Sequence, residues 1–246
     1  MSTRASGTAG GTVAEGTVAG GMAAGRGFGE GPLSRAAALI YTLLVVEALF
    51  LVTTAPGLAA LTLLGGDASN VPLAALCALP LGPALSAALY ALSRRGRDLA
   101  DLHPAAAFWR GYRANAAGAL KIWAPWLAGM AVVGTNLANF AAAGLPAWWA
   151  ALLVLVALGG LLWAGNALVI TSLFAFRAVD VARLASYFLL RRPRVALGNV
   201  SLLVAAAGVT LVGTELLTAA LAAAFAALLL RNGRPVIAEV REKFTA

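Results

Sequence analysis

Long apolar runs alternate with short arginine-bearing segments along this chain. No lysine or arginine occurs from Ala36 to Ser93, from Ile122 to Phe176 or from Val195 to Leu230. About 20 apolar residues suffice to cross a bilayer, so each run has room for two crossings. Gly65-Gly66-Asp67-Ala68-Ser69-Asn70 is a cluster of loop formers. It divides the first run into a span from Ala36 to about Pro56, apolar as far as Leu64, and a second from Val71 to Ser93. Gly144-Leu145-Pro146 separates a third span, about Ala119 to Ala143, from a fourth, Trp148 to Phe176. A straight helix over Val195 to Leu230 would far exceed a ~30 Å hydrocarbon core. Two short spans reversing near Gly213-Thr214-Glu215 fit that stretch better.

Between the runs the pattern changes. From Ala105 to Ala117, Phe108, Trp109, Tyr112 and Ala116 recur at helical spacing, with Arg110, Arg113 and Asn115 largely elsewhere on the wheel. His103-Pro104 opens this segment, with proline suited to a first helical turn. A second such stretch, Ala178 to Leu190, sets Val181, Ala182, Phe188 and Leu189 against Asp180, Arg183 and Arg191. Both read as amphipathic elbows along a membrane face, too polar to cross it. A short amphipathic helix is expected at the end, with Val236, Ile237, Val240 and Phe244 on one side and a Glu239–Lys243 pair four residues apart. The expected fold is therefore all-α: a polytopic bundle of about six transmembrane helices with two cytoplasmic amphipathic elbows. It divides into a disordered tail over 1–34, a six-span domain over 35–230 and a second tail over 231–246.

Composition agrees: of 246 residues 61% are hydrophobic and 11% charged, and the mean hydropathy is +0.86, values of a multi-span membrane protein. The 18 basic residues and net charge of +8 would suit nucleic acid, but no recognised binding module accompanies them. Their placement suits a membrane instead. With six spans every basic residue falls on one side, allowing for Lys121 at a span edge, and cytoplasmic loops are the ones enriched in Lys and Arg. Both termini are then cytoplasmic. Five spans would put Arg231, Arg234, Arg241 and Lys243 outside. The basic elbows read as contacts with anionic headgroups. Residues Met1 to Gly31, rich in Gly, Ala and Thr, bury too little to fold alone and lack a signal-peptide pattern. Two tryptophan pairs, Trp123 with Trp126 and Trp148 with Trp149, are expected to mark the two headgroup boundaries.

The second span contains Pro80-Leu81-Gly82-Pro83 near its middle. Each proline lacks an N–H and crowds a carbonyl four residues back, and carbonyls so freed need partners within the protein. This span is expected to pack inside the bundle. Helical rise puts Gly82 and Pro83 about 17 Å below Ser93, Glu47 about 17 Å from the start of the first span and Asn166 about 15 Å from Phe176. A carboxyl, an amide and a broken backbone thus share one depth. Glu47, Gly82, Pro83 and Asn166 form a candidate midplane cluster, either a site for a proton or polar solute or a hydrogen-bonded joint between packed helices. Asn136, Asn139 and Glu215 read as boundary groups. The ladder Ala219, Ala223, Ala227 suits close helix packing or a dimer face.

Catalytic chemistry is poorly represented. His103 is the only histidine and Cys77 the only cysteine. No metal-ligand spacing and no phosphate loop appears, so neither enzyme activity nor a cofactor is expected.

The motifs Gly31-Pro32-Leu33-Ser34-Arg35, Leu81-Gly82-Pro83-Ala84-Leu85-Ser86-Ala87-Ala88-Leu89-Tyr90 and Phe108-Trp109-Arg110-Gly111-Tyr112-Arg113-Ala114-Asn115 resemble those of the YesL-like bacterial membrane proteins, a family of unknown function. The resemblance covers roughly Gly31 to Leu230. Glu47 stands where that family more often has asparagine, and a longer segment precedes the proline-glycine motif. The resemblance implies an accessory role beside carbohydrate ABC transporters. On that expectation Phe108, Trp109, Arg110, Tyr112, Arg113 and Asn115 form an elbow for a transporter subunit or for lipid. The alternative is a small-solute transporter using the midplane cluster. Besides the bilayer, transporter subunits and a second copy of the chain are the candidate partners.

Overall fold

The computed structural model describes residues 32–94, 103–213 and 215–244. The expected glycine-rich tail over 1–31 lies outside them. The described residues are helical, with no strand among them. Helix α1 runs from Pro32–Leu63, beginning a few residues ahead of the expected span. A single 3-10 turn, Ala68–Asn70, leads into α2, Val71–Cys77, and α3, Leu81–Ser93. The two legs meet at 41°, where Pro80 denies the helix a donor.

Helix α4, Pro104–Ala138, is continuous for 35 residues. The first elbow is thus no separate helix but the opening turns of the third span. Nothing between Asn115 and Ala119 can stop a helix: Ala116, Ala117 and one Gly118 merely lengthen it. A 3-10 turn over Phe140–Ala143 ends at Gly144, whose φ of +61° is the left-handed conformation glycine adopts without a Cβ clash. Helix α5 is Trp148–Leu173. Helix α6, Ala178–Arg191, covers the second amphipathic stretch. Helix α7, Pro193–Val212, stops at Gly213, close to the expected reversal.

The return leg is divided. Helices α8, Glu215–Ala219, and α9, Ala222–Asn232, flank a break at Ala220 and Leu221. At about 1.5 Å per residue α9 covers only about half the hydrocarbon core. Four helices (α1, α4, α5, α7) are long and apolar enough to cross a membrane, five with the bent pair α2–α3. The sixth expected span is therefore two short helices rather than one. Helix α10, Arg234–Phe244, closes the chain.

Helix α3 is central and packs against α1, α4, α5 and α9. Its Gly82, Pro83, Ala84, Ser86, Ala87, Ala88, Leu89 and Ala91 are all buried, and their small side chains let neighbouring backbones approach. Helix α1 buries a ridge of five residues spaced four apart, Ala38, Thr42, Val46, Phe50 and Thr54, against its neighbours. Thr42 and Thr54 return their hydroxyls to the carbonyls of Ala38 and Phe50, each at 2.8 Å. No hydroxyl is then left facing hydrocarbon.

The core lies toward the arginine-bearing end. Helix α5 buries Ala164 and Asn166 to Ser172 but little of its first half. Helix α7 buries only Val195 and Asn199. Leu155, Val204, Leu211 and Val212 are exposed, as suits side chains against lipid. Helix α10 is docked, not loose. Its Val236 and Val240 join Val181, Ala185 and Phe188 of α6 and Val195 of α7 in one apolar cluster.

Candidate functional site

Glu47 leaves α1 beside the ridge residue Val46 and meets the start of α9. The first N–H groups of a helix have no partner within it, and here the terminus is packed among apolar helices, with Ala222 and Ala223 buried. Glu47 supplies the missing acceptor. The Ala223 N–H donates to its Oε2 at 2.7 Å, with the Ala222 N–H beside it. A carboxylate also suits the positive end of the helix dipole. Its Oε1 is buried and has no partner among the described residues. Ala222 packs with Phe50 and Ala84, so the carboxyl sits where α1, α3 and α9 converge.

Gly82 and Pro83 lie in the first turn of α3, not at the break itself, which is Ala78 to Pro80. The carbonyl of Ala78 accepts a hydrogen bond from the Trp123 indole at 3.0 Å. The same indole lies on Gly82, where an added Cβ would fall 2.6 Å from its Cδ1 and 2.8 Å from its Cβ. The break also presses on α1, since a Cβ on Gly57 would collide with the carbonyl oxygen of Cys77. Trp123 is 8% exposed, so it is a packing and hydrogen-bonding residue and not the boundary marker expected for it. Trp126 similarly donates to the Gly160 carbonyl at 2.9 Å. Trp148 and Trp149 are exposed and stacked, with ring centroids 4.3 Å apart.

Asn166 turns elsewhere. Its Oδ1 accepts from Asn199 Nδ2 at 3.3 Å, and Asn199 Oδ1 accepts from Asn232 Nδ2 at 2.7 Å. Asn232 Nδ2 also donates to the Val195 carbonyl at 2.8 Å. Three amides thus join α5, α7 and α9. Gly198 permits the contact, because a Cβ there would overlap the Asn232 amide. Glu47 and Asn166 bond to different neighbours, so the expected cluster separates into a capping acid, an occluded break and an amide ladder. Asn199 and Asn232 are additional members that sequence spacing did not single out. Between α3, α5, α7 and α9 lies an apolar cavity of about 190 Å³ with Asn199 at its edge.

The elbow residues divide as well. Phe108 is fully buried, whereas Trp109 is 40% exposed and Arg110 and Arg113 are exposed. Tyr112 is half-buried and lies near parallel to Phe108 with centroids 6.3 Å apart. Asn115 Nδ2 donates to the Ser172 carbonyl at 3.1 Å, and the hydroxyls of Ser172 and Ser86 meet at 2.9 Å. Phe108, Tyr112 and Asn115 therefore hold α4 in place, leaving Trp109, Arg110 and Arg113 around a shallow hollow.

On α10, Glu239 receives three cations. Lys243 Nζ donates to it at 2.9 Å, Arg192 Nε at 3.0 Å together with its terminal nitrogen, and Arg191 Nε lies 3.9 Å away. The Lys243 and Arg192 hydrogen bonds hold the Glu239 carboxyl at about 2, well below its ordinary 4.5. The expected pair with Lys243 is present; the bond to Arg192, which ties α10 to the α6–α7 junction, is additional. Among the described residues no three His, Cys, Asp or Glu side chains come together as a metal site would require. Comparison with protein-family models, with curated proteins and with solved structures finds no match for this chain.

Proposed function

We propose that this chain is a six-pass integral membrane protein with its arginine-bearing end in the cytoplasm, acting as an accessory or scaffolding component of a membrane assembly. The observation that carries this reading is how the midplane polar groups are used. Glu47 binds a helix terminus, Trp123 covers the broken backbone, and Asn166 belongs to a ladder between helices. Each is spent on joining the bundle. The surface left for a partner is Trp109, Arg110 and Arg113. A link to carbohydrate ABC transport is part of the proposal and rests on the YesL-like resemblance of the motifs alone. Isolation in mild detergent followed by mass spectrometry tests it: transporter subunits should accompany the wild type and be lost from a Trp109→Ala/Arg110→Ala/Arg113→Ala variant. Their reproducible absence from the wild type would count against it.

A small-solute transporter is the second reading. One observation favours it: Glu47 Oε1 has no partner beside a half-helix terminus, and broken helices often line transport sites. Glu47→Gln separates the two. The glutamine keeps an acceptor for Ala223 but cannot exchange a proton, so transport should vanish while folding persists.

A further inference from the structure

At the arginine-bearing end, a half-open cavity of about 670 Å³ lies between the ends of α3 and α9 and the face of α10. Arg94, Arg231 and Arg234 line it, beside Arg241, which is engaged in an interaction of its own, and its described lining holds no carboxylate. Glu239, the buried acid of α10, is not in that lining and is bonded to Arg192 and Lys243. Arg94 is held over the Tyr90 ring, 5.2 Å from its centroid. Tyr90 is in turn seated against Gly111 of α4, where a Cβ would come within 2.8 Å of it. One guanidinium is thereby positioned before any ligand arrives.

Helix-end stabilisation explains only part of this. Arg94 and Arg231 close α3 and α9, where a cation suits the terminal carbonyls. Arg234 opens α10, whose first turn contains no acid. A cation there opposes the helix dipole, and gathering Arg94, Arg231 and Arg234 around one cavity adds their mutual repulsion. An anion relieves both. Arginine's planar fork matches phosphate in particular, and Leu230 adds an apolar wall.

We propose that this cavity is a binding site for a phosphate-bearing anion, either the headgroup of an anionic lipid or a soluble phosphate compound. It is independent of the accessory-protein reading. The test uses the full chain, purified in detergent and stripped of phospholipid. One arm offers phosphatidylglycerol against phosphatidylcholine and reads retained lipid by native mass spectrometry. The other titrates inorganic pyrophosphate by calorimetry.

Arg231→Gln/Arg234→Gln should weaken binding about tenfold or more, as loss of charge-assisted hydrogen bonds predicts. Arg183→Gln/Arg194→Gln removes the same charge outside the cavity and should leave binding near wild type. Arg231→Lys/Arg234→Lys keeps the charge but loses the fork. It should bind at an intermediate level, and it replaces the glutamine pair if that fails to fold. Preference for phosphatidylglycerol with this pattern assigns the site to lipid; pyrophosphate binding with this pattern assigns it to a soluble ligand. Equal weakening by the glutamine pairs inside and outside the cavity, or no binding of either probe, would overturn the proposal.

Discussion

Glu47 and Ala223 are separated by 176 positions in the chain and joined by a 2.7 Å hydrogen bond from the Ala223 N–H to the Glu47 carboxylate. The bond closes the first span onto the start of the last helical leg. Removing such a cap costs about 1–2 kcal/mol. Glu47→Ala should therefore lower the melting temperature of the detergent-solubilised protein clearly. Glu47→Gln, which still offers an oxygen, should lower it much less. Equal losses would mean that charge, and not the acceptor, holds α9.

Gly82→Ala tests the seat of Trp123. The new methyl would enter the indole, and overpacking of this kind costs about 1–3 kcal/mol. Gly129 and Gly159 lie in helices with open space where a Cβ would be. Alanine at either should be neutral or slightly stabilising, by up to about 1 kcal/mol from helix propensity. Melting temperatures of the three variants should fall into these two groups.

Asn199 is the middle rung of the amide ladder, so Asn199→Ala breaks both of its side-chain bonds at once. Interhelical bonds in membranes contribute about 0.6–2 kcal/mol each. The loss should appear as faster hydrogen exchange in α7, which has little other buried surface. Adding Asn232→Ala should cost less than the sum of the single changes, because their shared bond is already gone.

The docking of α10 should be acid-sensitive. The Glu239 carboxyl titrates at about 2 in the folded protein against an ordinary 4.5. A depressed acid stabilises the folded form above its unfolded value and loses that contribution as pH falls through its folded value. Protection of α10 from hydrogen exchange should be complete above about pH 4.5 and decline toward pH 2. Glu239→Gln should start from weaker protection and remove this pH dependence.

Much of the architecture is legible in the apolar pattern. The amphipathic helix α6, the central position of the Leu81–Ser93 helix and the helix end at Gly213 follow from local signals: amphipathic spacing, small residues without charge, and glycine. The break at Ala220-Leu221 follows from none, since alanine and leucine both favour helix; beyond it the Ala223 N–H donates to Glu47. The midplane cluster illustrates a second limit. Counting residues gives depth along a helix but not the direction a side chain faces once helices rotate against one another. Glu47 therefore met α9, and Asn166 met α7. Trp123 departs from expectation for a related reason: its type suggests a headgroup boundary, while the Ala78 carbonyl at the break decides its place.

The grip of Trp123 on both Ala78 and Gly82 has a mechanical consequence. The kinked leg is latched at two points by one ring of α4, besides its contact with Gly57 of α1. Straightening it would have to displace that ring. Whatever docks at Trp109 and Arg113, near the other end of that same rod, has a lever on the middle of the bundle.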